Sequence, residues 1–218
     1  MIIEGVVGAQ TKADGSVTQP RLGRLGELYT GECVGKYFEL ARRGQCYMAS
    51  MQAAASLGTA LTATAVTITL FNPLGSGVNG AILQCTVAGA GIPQTTTATF
   101  QNVVYAVNPV TTQIAPTGLT NAIVIPALLG GTGAAAQSNN LVKAYTACTL
   151  AAAPVIARVH PFGFANFTTN AVMAGSAAID YVDGALTIAQ GTACTLQGIA
   201  TTTATSGLIS IVWAEIPV

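Results

Sequence analysis

Charge is what this sequence has least of. Only 7% of its 218 residues are Asp, Glu, Lys or Arg, against about 25% in an ordinary soluble domain, and eight positive residues balance eight negative ones. With no positive excess there is little to displace the counterions around phosphates, so electrostatically driven nucleic-acid binding is not expected. Basic clusters that would hold a membrane surface, and acidic tails, are missing too. A single histidine, His160, rules out a multi-histidine metal centre. The five cysteines, Cys33, Cys46, Cys85, Cys148 and Cys194, are odd in number and lack CxxC or zinc spacing, so neither a disulfide framework nor a structural metal is expected. They read as buried free thiols of a protein made in a reducing cytoplasm. Aromatics make up 6% and have no interleaved basic residues, which argues against a stacking platform for single-stranded nucleic acid. No apolar run of about 18 residues is free of breakers, and Met1 to Gly15 has no basic start before an apolar core. Neither a membrane helix nor a secretory signal is expected.

Small residues fill the space left by the missing ones: 38 Ala, 29 Thr and 24 Gly. The position of the charges says more than their number. Eleven of the sixteen lie between Glu4 and Arg43, and the 99 residues between Arg43 and Lys143 carry none. A surface so neutral either presents Thr, Ser, Asn and Gln to water or is hidden against another protein. At zero net charge, self-association is the favoured outcome.

Three regions follow. Residues 1–31 read as an extended arm, broken by Gly5, Gly8, Gly15, Gly23, Gly26 and Gly31 and by Pro20, and such an arm needs something to hold it. Residues 32–44 read as a short helix or linker: Glu39 can pair with Arg43, and Gly44 stands where a C-terminal cap would. Residues 45–218 read as an all-β domain of short Val, Ile and Thr runs punctuated by Gly, Pro and Asn. Strands are predicted over 46–50, 61–71, 81–88, 95–107, 122–125, 141–150, 154–159, 177–182, 185–189, 194–198 and 207–215. Asp183-Gly184 is a type I′ hairpin signal between two of them. The number and spacing of strands predict an antiparallel β-sandwich of the jelly-roll type. In Leu208 to Glu215 both faces are mostly apolar, which predicts that the second face is also covered, by a neighbouring subunit.

The sequence shows no chemistry-bearing constellation. His160 with Asp180 or Asp183 has no nucleophile elbow to serve. Asp183 belongs to the turn, and Asp180 reads as surface solubilisation. The glycine-rich Gly75-Ser76-Gly77 and Gly130-Gly131-Thr132-Gly133 lack the Gly-Lys-Ser/Thr ending of a phosphate loop. Phe162, Phe164 and Phe167 read as a plug at one end of the sandwich. No catalytic residue, metal or cofactor is expected.

The stretches GKYFELARRGQCYMAS, FNPLGSGVNGAILQC and DGALTIAQGTACTLQG leading into ISIVWAEIPV together resemble a group of small-residue-rich virion proteins of tailed bacteriophages. The resemblance covers roughly residues 30–218. It departs at Gln190-Gly191, where Pro-Gly is expected, and at Ala214-Glu215, where two acids are expected. It implies a jelly-roll structural subunit on the capsid exterior, made in the host bacterial cytoplasm: a decoration or cement protein that forms a homotrimer and binds the major capsid protein. On this reading Val6, Val7, Arg21, Leu22, Arg24 and Leu25 dock the arm on the capsid, and Leu208, Val212 and Ala214 form the oligomer interface, or the opposite face of that strand does if inside and outside are reversed. The alternative is a receptor-binding or fibre module that recognises host surface glycans through loops such as Asn108 to Thr120.

Overall fold

The computed structural model describes residues 35–65, 67–90, 99–108, 115–128, 140–166, 177–200 and 206–218. The proposed docking residues Val6, Val7, Arg21, Leu22, Arg24 and Leu25 lie outside this set, as do Cys33, the glycine run 130–133 and the side chains of Phe162, Phe164 and Phe167. The chain divides into two units, Met1–Phe38 and Glu39–Val218, and the second holds all the described strands.

The predicted helix is present but short: α1 spans Phe38–Arg42. The Glu39 carboxylate accepts from both Arg42 and Arg43 at 2.8 Å. The helix ends as its sequence dictates. Gly44 adopts φ +69°, its N–H donates to Ala41 O, and the Gln45 N–H donates to Leu40 O, the paired bonds of a Schellman cap.

The strands are β1 (Cys46–Ser50), β2 (Ala55–Ser56), β3 (Thr64–Ala65), β4 (Thr69–Phe71), β5 (Val78–Ala90), β6 (Thr99–Val107), β7 (Thr117–Asn121), β8 (Val124–Pro126), β9 (Lys143–Thr149), β10 (Val155–Asn166), β11 (Ala177–Ile188), β12 (Ala193–Ala200) and β13 (Ser206–Pro217). They form two antiparallel sheets. The first runs β11-β5-β13-β1-β8, with β2 beside β13, and the second runs β10-β6-β12-β4-β9-β3, with β7 beside β9. Their facing sides share one core, in which Ile82, Val87, Ile209, Ile211 and Trp213 of the first sheet meet Leu70, Val103, Tyr105, Ala144 and Leu196 of the second. The protein is an all-β sandwich, and its core is built from alternating strand positions as period-two patterning requires.

Two sequence expectations are corrected. Residues 61–71 do not form one strand: only Thr64–Ala65 and Thr69–Phe71 pair, each with β9. Asp183-Gly184 does not join two strands into a hairpin. Both halves of β11 pair with the same neighbour, Tyr181 opposite Gln84 and Leu186 opposite Ile82, so the extra residues bulge out of one continuous strand. The local conformation is as the dipeptide demands, with positive φ at both Asp183 (53°) and Gly184 (82°). The choice of partner is tertiary.

Candidate functional site

Two places gather unusual groups: a polar cluster between the sheets and the outer face of the first sheet. The cluster comes from three strands. Asp180 points inward from β11, where its Oδ2 accepts from the Tyr105 hydroxyl of β6 at 3.0 Å and its Oδ1 from Arg158 Nη2 of β10 at 2.8 Å. His160, two residues beyond Arg158 and on the same side of β10, is 1% exposed. Its Nε2 lies 3.5 Å from the Cys85 carbonyl oxygen, and its ring is tilted against Tyr105 at a centroid distance of 6.0 Å. Burial pulls the imidazole pKa below its ordinary value, and burial pushes the Tyr105 hydroxyl and the Cys85 thiol up, so all three stay neutral in the fold.

Asp180 is therefore a buried tie between the sheets, correcting its reading as a solubilising surface residue. His160 is in a strand and sealed from solvent, so an incoming substrate cannot reach it. Sequence reasoning missed Tyr105 and Arg158 because a lone Tyr or Arg in a strand carries no signal until its partner's strand is placed.

A second buried carboxylate does similar work near the C-terminus. Glu215 Oε1 accepts from the Leu141 and Val142 N–H groups at 2.7 Å each. Burial pushes its carboxyl above the usual range, opposed by those two amides. Cys46, Cys85, Cys148 and Cys194 are free and buried, and burial raises Cys194 to about 12. Among the described residues no cluster of His, Cys, Asp and Glu could hold a metal ion, and no helix is long and apolar enough to cross a membrane.

The outer faces of the two sheets differ. On the second sheet the chain covers its own face over β4, β9 and β12, though not over β10. Gln197 exchanges hydrogen bonds with the backbone of Thr62 at 2.9 Å in both directions. The Thr67 hydroxyl donates to Leu196 O, and Phe71, Tyr145, Cys148, Leu150 and Ala193 form a second buried cluster there.

Among the described residues, none covers most of the outer face of the first sheet in this way. Strand register sets three rows across it: Tyr181, Gln84, Val212, Met48 and Ile125; then Ile179, Thr86, Ser210 and Ser50; then Ala177, Ala88 and Leu208. None of these positions carries a charge. Tyr181 is 63% exposed, Ile179 47% and Leu208 40%, and the middle row is tied by the Ser50 hydroxyl donating to Ser210 Oγ at 2.8 Å.

The three residues expected at an oligomer interface lie on this side of β13 but are not equivalent. Leu208 is exposed and Val212 half-buried, whereas Ala214 is fully buried in the single chain. It is a methyl-bearing residue set between Cys46 of β1 and Ala81 of β5, so Ala214 is corrected from an interface residue to an internal one. Ile179 and Tyr181, which sequence reasoning did not select, are more exposed than any of the three. Their alternation with Asp180 and Val182 was the available signal.

No family model, curated protein or solved structure matches the chain.

Proposed function

We propose that this protein is a structural subunit of a bacteriophage virion, a capsid decoration or cement protein that assembles with copies of itself into a trimer and attaches to the major capsid protein through residues 1–31. One observation carries the reading: the outer face of the first sheet is free of charge along its three described rows, exposes Tyr181, Ile179 and Leu208, and extends over five strands of the sandwich. Exposed apolar patches on an otherwise polar protein mark interaction sites, and this one suits a partner as neutral as itself. The sequence resemblance supplies the setting.

A jelly-roll winding is part of the proposal. Support for it lies in the strand order: β10, β11, β12 and β13 alternate between the sheets, and β11-β5-β13-β1 lies over β10-β6-β12-β4, an order that interleaved Greek keys produce.

Attachment would be binding without chemistry. Three arms on one trimer act at high effective concentration, so contacts that are weak singly hold durably together. Deleting residues 2–25 tests the role of the arm. The truncated protein should keep its assembled mass and lose binding to undecorated capsids, whereas saturation of capsids by the truncated protein would contradict arm docking. Copy number on the particle separates the alternative, since a receptor-binding module would occur in few copies at the tail or vertices.

A further inference from the structure

We infer that copies of this chain join head to tail, the outer face of β10 in one copy seating on the outer face of the first sheet in the next. The inference rests on the self-association proposed above and names the two surfaces that meet. Five of the exposed apolar residues form two patches around the β10 and β11 edge of the sandwich, while others, such as Leu74, Leu128 and Val218, lie elsewhere. One comprises Ile179, Tyr181 and Leu208. The other comprises Ile156 and Val159, of which Val159 is 58% exposed.

The patches face opposite ways. Tyr181 alternates with the inward Asp180 and Val182 of the first sheet. Val159 lies between the inward Arg158 and His160 of the second sheet and pairs with the outward Val104. A two-fold contact uses the same patch on both copies, so it would cover one of these surfaces and leave the other in water. A head-to-tail contact covers both with a single kind of interface, and three such contacts close a ring if the rotation between copies is one third of a turn.

Charge selects a second copy of this chain as the occupant. Neither patch contains a charged side chain. Beside them, Arg158 and Asp180 already neutralise each other at 2.8 Å, and Asp183 stands at the rim. A charged partner would lose its hydration here with nothing to replace it. The neutral face of another copy carries no such cost.

Two variants at exposed positions test this, Tyr181→Asp and Val159→Lys, followed by light scattering on the full chain with circular dichroism as the check on folding. Each variant alone should weaken association on the order of 30-fold or more, as loss of a central contact does, and run as a monomer. An equimolar mixture should recover one productive contact, between the intact sheet face of the Val159→Lys chain and the intact β10 face of the Tyr181→Asp chain. Assembly then reaches at least a heterodimer, since the second contact brings opposite charges together. Wild-type assembly by either variant, or a mixture that stays monomeric, would overturn the head-to-tail contact. A wild-type chain that is itself monomeric would instead contradict the self-association on which the inference rests.

Discussion

At the scale of single residues, the side chains with most chemical potential are used to hold the sandwich together. Asp180, Tyr105 and Arg158 come from three strands and both sheets, and each satisfies a group that would otherwise be costly to bury. His160 beside them has a measurable consequence. Burial, the largest influence, lowers its pKa, and the neighbouring Arg158 adds to this, while the Cys85 carbonyl and Asp180 oppose it. The unfolded chain thus takes up a proton near the ordinary value of 6.5 while the folded chain does not. The stability His160 contributes is present above that pH and is lost as pH falls toward the lowered folded value. Urea midpoints measured at fixed protein concentration from about pH 7.5 to about pH 5 should decline less steeply for His160→Gln than for wild type. Identical slopes would place the imidazole in contact with solvent. Little of this cluster was legible in the sequence: Asp180 looks like any polar residue on a strand, and only the placement of β6 and β10, far away in the chain, gives it partners.

Among elements, the legible parts are those whose pattern is local. The period-two runs predict β1 over the residues it spans, β5, β9, β12 and β13 to within a few residues of their ends, and β6 at its C-terminal end, because alternation and the residues that break it lie in the segment itself, while 95–98 lie outside the described residues. The Asp183-Gly184 dipeptide likewise fixes positive φ at both positions. What it could not fix is whether the two halves of β11 pair with each other or with β5. Such a choice depends on which face must be buried, and Val182 and Ile188 both belong to the core only in the continuous strand. Residues 61–71 fail as one strand for a related reason, since Thr62 and Thr67 bond across the outer face of the second sheet instead of along a ladder. A sharp test of the segment just before it lies at Gly198 of β12, whose inner side meets Leu57. A Cβ there would stand 2.6 Å from Leu57 O and 2.9 Å from Leu57 Cβ, where the Gly198 N–H donates to Leu57 O. Backbone cannot yield as a side-chain tip can, so Gly198→Ala should cost about 3 kcal/mol or more. A loss under about 0.5 kcal/mol by urea unfolding would show that Leu57 is not held against β12.

For the whole molecule, the scarcity of charge takes on a definite geometry. Beyond Arg43 only Lys143, Arg158, Asp180, Asp183 and Glu215 are charged. Of these, Arg158 and Asp180 answer each other, Glu215 is buried against two backbone amides, and Lys143 donates to Asn140 O. The surface formed after Arg43 carries few charges, Asp183 among them, and its exposed apolar residues include those on the outer side of the first sheet and on β10. The overall class of fold was legible from composition and strand spacing. The patches were not, because exposure depends on which sheet the chain covers with its own loops. The claim that this surface exists to meet copies of itself is tested most directly by the mass of the intact protein in solution. Light scattering should return three times 21.9 kDa, with little change as salt is raised to about 1 M, since the contact involves no ion pair to screen. A mass of 21.9 kDa at micromolar concentration, or an assembly that dissolves in salt, would contradict it.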